Sequence, residues 1–124
     1  MSWPPMIGEP LPRAQDAYGI REKLTAYCLN AEHEVGGPKA RGFAQILGIT
    51  IAQVTHLVQA LHTGVRDAPV TDVRDNTPYG VLCEVRIRVS GVGERAGRQA
   101  LVTTSWELRD ATASPRLVTA YIDE

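Results

Sequence analysis

A histidine, a glycine pair and a lysine lie close enough in the chain to bind an anion together. The segment runs His33-Glu34-Val35-Gly36-Gly37-Pro38-Lys39. Proline is favoured at the first position of a helix, so a helix is expected to begin at Pro38 with Gly37 as its N-cap. Backbone N–H groups of Gly36 and Gly37, the helix dipole and the Lys39 ammonium would then converge on a negative ligand beside His33, which titrates near neutrality. One interpretation of the segment is therefore a phosphate site.

The same residues also form an ordinary turn between two helices, and a lone histidine in a loop is usually exposed and without a chemical role. Physical reasoning from the segment alone favours that turn. Both interpretations require a helix on each side of the glycines.

Three helices are predicted around this segment. The first extends from Ile20 to a stop at Asn30, and the second continues from Pro38 to Leu47, where Gly48 can adopt the left-handed cap. Thr50 and Gln53 have the spacing of a capping box for a third helix that ends near residue 64. Each helix has apolar residues at helical spacing: Ile20, Leu24, Tyr27, Cys28; Ala40, Phe43, Ala44, Leu47; Ile51, Val54, Leu57, Val58, Leu61.

From Val81 onward the apolar period changes from helical to alternating. This pattern predicts strands over 81–90, 100–107 and 116–122, with a glycine-rich hairpin loop at 91–97 and a turn at 110–115. Residues 65–80 contain prolines and many turn-forming side chains, and are predicted to be a loop. The order of elements predicts an α+β fold in which N-terminal helices pack on a C-terminal antiparallel β-sheet.

Composition indicates one ordinary globular domain. The chain has 124 residues, 44% of them hydrophobic and 22% charged, and a formal net charge of −1. No global basic field attracts nucleic acid, so polyanion binding would need a local cluster. Residues 1–15, with four of the eight prolines, are predicted to be an extended N-terminal arm, and residues 16–124 a single domain.

The two cysteines lie on apolar faces and are predicted to be buried free thiols, because their spacing matches no metal site. No metal and no cofactor are expected. No apolar run approaches the roughly 20 residues that span a bilayer, and the N-terminus lacks the regions of a signal peptide. No membrane partner is expected.

Polar and aromatic residues occur on the last two predicted strands, where the face away from the helices meets water or substrate. Threonine, tryptophan and tyrosine favour strands in any case, so their enrichment there is weak evidence by itself. Hydroxyls and cations beside a His/Lys loop are nevertheless what metal-independent cleavage of RNA requires. The residues assigned to this face are Thr103, Thr104, Ser105, Trp106, Arg116, Thr119 and Tyr121.

Several of these residues fall in a longer pattern that resembles a bacterial domain family of unknown function. The matching stretches are Leu24 to Phe43, Leu47-Gly48, Tyr79-Gly80, Thr104-Ser-Trp106 and Pro115 to Tyr121, which together cover nearly the whole chain. The family pattern is roughly K-L-x-x-Y-L-L-N-P-x-H-P-x-G-x-x-K-A-x-x-F, then Y-G, T-x-W and P-R-L-x-T. That family is similar to the superfamily of barnase, EndoU, colicin-type tRNases and RelE, which are metal-independent ribonucleases.

The resemblance implies roles for individual residues. His33 would be the general base or acid, Lys39 and Arg116 would hold phosphate, and Thr104 and Thr119 would orient it. Trp106 or Tyr79 would stack on a base, and Gly36, Gly37, Arg41 and Tyr121 would complete the substrate site. The alternative is that the three aromatic rings belong to the core, and for Trp106 this alternative is nearly as well supported. Two prolines of the pattern are Ala31 and Glu34 in this chain. Glu34 could raise the pKa of His33 or weaken phosphate binding, and the sequence does not decide between the two.

The resemblance also implies partners and a place of action. The expected function is that of a bacterial toxin domain that cleaves RNA, with tRNA as one candidate substrate and a host factor left open. A cognate immunity or antitoxin protein would be its protein partner. The domain would act in the cytoplasm, either made there or delivered as the C-terminal part of a secreted effector.

Three other interpretations compete with the ribonuclease. A non-catalytic interaction module of a phage or secretion-associated protein would keep the fold without needing His33 or Lys39. An enzyme such as a nucleotide transferase could use the same phosphate pocket. Ala44, Gly48 and Val54 also fit a helix-turn-helix, but the helix that would read DNA, 51–63, contains no Lys or Arg. DNA binding is therefore ranked low.

Overall fold

A computed structural model describes residues 3–123 and has the predicted α+β architecture. Helix α1 (Ile20–Lys23) continues as a wider π-helical turn (Leu24–Cys28). Helices α2 (Gly37–Leu47) and α3 (Val54–Gly64) follow, the latter preceded by a 3₁₀ turn at Ile51–Gln53. The strands are β1 (Val70–Asp75), β2 (Val81–Ser90), β3 (Gln99–Leu108) and β4 (Arg116–Ile122), and short 3₁₀ turns lie at Ala14–Asp16 and Gly93–Arg95.

The four strands form one antiparallel sheet in the order β1-β2-β3-β4. The prediction that all of residues 65–80 form a loop is wrong, because residues 70–75 form strand β1. Its sequence, Val-Thr-Asp-Val-Arg-Asp, has too few apolar residues for a clear alternation, and it is held by pairing with β2. The other edge strand is β4, whose first residue forms a parallel bridge with Tyr18.

The predicted ends of the second and third helices are confirmed to within a residue, whereas the first helical segment ends at Cys28, two residues before the predicted stop at Asn30. Thr50 and Gln53 make the capping box, and Gly48 adopts the left-handed conformation with φ of 69° after α2. Helix α2 begins at Gly37, and Pro38 lies in its first turn. The loop that carries His33 therefore leads directly into the helix that carries Lys39.

The helices cover one face of the sheet, and the core lies between the two layers. Alternate residues of β2 enter it, as the period of two predicted. Both cysteines are buried free thiols, which confirms that prediction. Leu11 and Ala14 of the N-terminal segment are also buried there, so the segment from residue 11 packs against the domain. The largest fully buried side chains include Trp106, Phe43, Leu24, Leu57 and Leu117.

Thr104 and Trp106 require a correction, because both belong to this core and neither reaches the open face of the sheet. Each is 0% exposed. The Thr104 hydroxyl donates to the carbonyl of Val85 at 2.6 Å and accepts from Trp106 Nε1 at 2.7 Å. The Thr104 hydroxyl and the Trp106 N–H thus each have a hydrogen-bond partner within the core. In their described positions neither side chain can contact a substrate.

No single helix among residues 3–123 is long and apolar enough to cross a membrane. Only the pair Gly37–Leu47 and Ile51–Gly64, bent by 71° at its break, has the necessary length and composition when taken together.

Candidate functional site

Lys39 connects the helical layer to the edge of the sheet. Its Nζ donates to the hydroxyl of Tyr27 and to the hydroxyl of Thr119, both at 2.7 Å. The ammonium also lies over two aromatic rings, 4.5 Å from the centroid of Tyr27 and 5.5 Å from that of Tyr121. The π-helical turn after α1, helix α2 and strand β4 therefore each contribute residues around one half-buried cation.

This cation has neutral neighbours. Within residues 3–123, no carboxylate oxygen lies within 4.0 Å of Lys39 Nζ. An ammonium has three N–H donors, and the two hydroxyls use two of them. The remaining donor and the uncompensated charge are what an anionic ligand would need.

Two cavities lie along this edge of the sheet: Lys39 lines one, and its hydrogen-bond partner Tyr27 lines the other. The Arg41 cavity, about 370 Å³, is lined by Pro38, Lys39, Arg41, Gly42, Gln45, Tyr121 and Ile122. The Tyr18 cavity, about 550 Å³, is lined by Tyr18, Gly19, Glu22, Lys23, Ala26, Tyr27, Arg116 and Leu117. Both volumes are in the range of small-molecule sites, roughly 300–1,000 Å³. Four cations and a single carboxylate, Glu22, line the two cavities.

His33 holds the loop before α2 in shape. Its Nδ1 accepts the backbone N–H groups of Val35 at 3.1 Å and Gly36 at 3.0 Å, which assigns the ring proton to Nε2. The His33 carbonyl accepts the N–H of Gly37 at 2.8 Å. The ring also packs edge-on against Tyr27, with centroids 4.8 Å apart and planes at 82°. His33 therefore fixes both the loop and the tyrosine that contacts Lys39.

These hydrogen bonds correct the prediction that Gly36 and Gly37 offer free N–H groups to a phosphate. Both residues are buried, and both N–H groups are already bound to His33. A Cβ on Gly36 would lie 2.2 Å from the carbonyl oxygen of Tyr27, and one on Gly37 would lie 2.9 Å from that of Ala31. The glycines are needed because the loop packs closely against the end of the first helix.

The predicted residues on α2 and β4 are placed together. Arg41 is exposed and shares the Arg41 cavity with Lys39 and Tyr121. Arg116 lines the Tyr18 cavity and also donates to Glu107 Oε1 at 3.4 Å, with its side chain 41% exposed. Lys39, Arg41, Arg116, Thr119 and Tyr121 thus occupy one edge of the sheet.

Tyr79 lies elsewhere. It is 52% exposed in the turn between β1 and β2 and lines neither of the two cavities. The Arg109 guanidinium lies over its ring, 5.5 Å from the centroid. Gly80 beside it has a φ of 91° and passes close to the carbonyl of Leu108. The turn therefore has a structural reason for its Tyr-Gly sequence, and the structure does not bring Tyr79 to Lys39.

Sequence reasoning missed Tyr27 as a site residue, because its helical spacing assigned it to the core. Its position six residues before His33, on the helix that leads into the loop, could have indicated that it belongs to the site. Lys23 was also missed, and its Nζ lies 5.9 Å from the Tyr27 centroid. Glu34, in contrast, is exposed, and no ion pair joins it to His33 within the described chain.

Both thiols are buried, and Cys28 lies close enough to Lys39 to feel its charge. Burial raises the pKa of Cys28, while the nearby Ala120 backbone and the Lys39 charge act in the opposite direction. Burial also raises the pKa of Cys83, to about 11. Residues 3–123 contain no cluster of three or more His, Cys, Asp or Glu side chains that could hold a metal ion.

Comparison with protein families gives a match over residues 10–124, nearly the whole chain, to the domain of unknown function DUF6883. The chain belongs to the DUF6883 family. No curated protein and no solved structure matches the chain. The matched span includes every residue of the Lys39 site and begins one residue before Leu11, the first residue in the buried core.

Proposed function

We propose that this DUF6883 domain is a metal-independent ribonuclease that cuts RNA by transesterification, with Lys39 on the scissile phosphate. The observation that carries the proposal is the Lys39 ammonium, bound by two neutral hydroxyls, flanked by two rings and lying beside two cavities. Such a cation is suited to a phosphodiester, whose negative charge increases in the transition state. The resemblance to the barnase, EndoU, colicin and RelE superfamily supports the same reaction.

The reaction forms a bond between the ribose O2′ and phosphorus and breaks the bond between phosphorus and O5′ of the next nucleotide. Lys39 stabilises the charge that develops on the non-bridging oxygens. Tyr27 donates its phenolic proton to the leaving O5′, and the Lys39 ammonium at 2.7 Å stabilises the phenolate that remains. The 2′-hydroxyl proton passes to water, and water restores the proton to Tyr27.

His33 acts in this scheme as a positioning residue. Its Nδ1 lone pair is engaged by two backbone N–H groups, so the ring has no free nitrogen to accept a proton while the loop keeps this shape. Its contact with the Tyr27 ring orients the proton donor. In this proposal His33 positions Tyr27 and is not the general base or acid that the resemblance implies.

The test is incubation of the purified domain with total RNA in EDTA, with fragments read on a gel. Wild type is expected to produce discrete fragments, and Lys39→Gln and Tyr27→Phe to produce none. Two matched controls should cleave like wild type: Arg98→Gln removes an exposed charge between β2 and β3, and Tyr79→Phe removes a hydroxyl remote from the cavities. Intact RNA in every lane, also with cell extract added as a source of a host factor, would refute the ribonuclease and favour an interaction module.

We extend the proposal to a toxin that acts on RNA, with tRNA as one candidate, in the cytoplasm. An immunity or antitoxin protein would then cover the edge of β4 and the two cavities. Induced expression in bacteria should stop growth, and Lys39→Gln should restore it. Equal growth arrest by both forms at equal expression would contradict a toxic activity at this site.

A further inference from the structure

The two cavities beside Lys39 are lined by different catalytic groups. This difference sets the direction in which an RNA strand would bind. The Arg41 cavity includes Lys39 and Tyr121 in its wall, whereas the Tyr18 cavity includes Tyr27. The Lys39 ammonium contacts an aromatic ring from each cavity. A phosphate bound to Lys39 would therefore have one cavity on each side.

We infer that the two cavities are separate nucleoside subsites, the Arg41 cavity for the nucleoside that supplies the 2′-hydroxyl and the Tyr18 cavity for the leaving nucleoside. This inference rests on the proposed function. The assignment follows from Tyr27, because a proton donor to O5′ must lie on the side of the leaving nucleoside, and Tyr27 lines only the Tyr18 cavity of the two.

The walls of both cavities suit nucleosides. Each offers a tyrosine ring for a base and cations for the phosphates on either side: Tyr121 with Arg41 in one, and Tyr18 with Lys23 and Arg116 in the other. Tyr18 is 53% exposed, and the backbone bridge to Arg116 fixes its position. Arg116, three residues before Thr119 on β4, adds a second cation to the wall of this cavity.

Three non-cleavable probes test the direction by amide chemical shifts in NMR spectra of the full chain. All carry 2′-O-methyl groups: a nucleoside 3′-monophosphate, a nucleoside 5′-monophosphate and a dinucleotide with one phosphodiester. The 3′-monophosphate should shift Gly42 and Gln45 at the Arg41 cavity, and the 5′-monophosphate should shift Gly19 and Ala26 at the Tyr18 cavity. The dinucleotide should shift both groups.

Charge-removing variants provide a second readout of the same probes. Arg41→Ala should weaken binding of the 3′-monophosphate at least threefold and leave the 5′-monophosphate unchanged, and Lys23→Ala should do the reverse. Arg98→Ala, remote from both cavities, should change neither affinity. Each variant is compared with wild type by its amide spectrum, which shows whether the fold is intact.

Dinucleotide shifts confined to one cavity, mononucleotides bound in the opposite cavities, or no shifts with any probe would overturn the inference. The cleavage assay in EDTA separates this failure from failure of the proposed function. If RNA is cleaved but the two-cavity pattern is absent, the domain is a ribonuclease whose substrate binds elsewhere. If the two-cavity pattern is present but RNA is not cleaved, the domain binds dinucleotides at this site and is not a ribonuclease.

Discussion

Lys39 on α2 and Thr119 on β4 are 80 residues apart in the chain and are joined by a hydrogen bond of 2.7 Å. This bond fixes the ammonium of a long, flexible side chain at the edge of the sheet. Tyr27 makes the second bond from the end of the first helix. The position of the cation therefore depends on the packing of the helices against β4.

Replacing Thr119 by valine should reduce activity without unfolding the domain. Valine has nearly the same shape but cannot accept the Lys39 hydrogen bond. A bond to a charged group contributes roughly 1.5–3 kcal/mol, so a loss of about 10- to 100-fold in kcat/KM on an RNA substrate is expected. Thr71→Val on β1, where the hydroxyl is exposed, is the matched control and should retain full activity. Equal kcat/KM for Thr119→Val and wild type would show that Thr119 does not position the lysine.

Two substitutions of His33 separate its effect on the loop from any chemistry of the ring. An asparagine oxygen can accept the N–H groups of Val35 and Gly36, as Nδ1 does, whereas alanine cannot. We expect His33→Asn to unfold near the wild-type denaturant concentration and His33→Ala to lose about 1–2 kcal/mol of unfolding free energy. Both should cleave RNA more slowly, because both lose the ring that packs on Tyr27. A pH–rate profile that keeps its shape in His33→Asn would support a positioning role, and loss of one limb of the profile would indicate that His33 transfers a proton.

Replacing Thr104 by valine should lower stability and leave catalysis nearly unchanged. The substitution removes the acceptor of the buried Trp106 N–H, and an unsatisfied buried donor costs about 1–3 kcal/mol. The free energy of unfolding, measured with urea, should fall by that amount. Cleavage by the folded fraction should stay within about twofold of wild type. A loss of kcat with no change in the free energy of unfolding would instead indicate that Thr104 acts in the active site.

Alkaline pH should destabilise the domain through its buried thiols. Burial raises the pKa of Cys83 from 9.0 to about 11, so the thiol ionises more readily in the unfolded chain. The neutral thiol therefore contributes fully to the free energy of unfolding below pH 9, and this contribution is lost as the pH rises towards 11. We expect Cys83→Ala to lose less of its unfolding free energy than wild type between pH 9 and 11. Parallel stability curves for the two proteins across this range would contradict a buried, neutral Cys83.

The sequence predicts the helical layer and the long strands well, because their patterns are regular. Helix α2 has apolar residues at every required turn, and β2 alternates over ten residues. Strand β1 lacks such a pattern and depends on its neighbour β2, so the sequence predicts a loop at residues 70–75. Edge strands that are mostly exposed are difficult to recognise without knowing the sheet they join.

The site is predicted less completely, because residue type does not reveal which polar groups are already satisfied. Thr104 and Trp106 have the chemistry of a binding face, but they bond to each other within the core. Gly36 and Gly37 look like phosphate-binding glycines, but His33 uses their N–H groups. Tyr27 shows the opposite case. Its helical spacing predicts a core residue, but an amphipathic side chain on an apolar face can still present its hydroxyl to a cavity.

Transesterification at Lys39 is tested most sharply with a defined oligoribonucleotide that wild type cleaves at one bond, incubated in EDTA. The 5′ fragment should carry a 2′,3′-cyclic phosphate. Cleavage should be absent when the ribose before that bond carries a 2′-O-methyl group, and absent with Lys39→Gln. Cleavage of the methylated substrate, or wild-type rates for Lys39→Gln, would contradict transesterification at the Lys39 site.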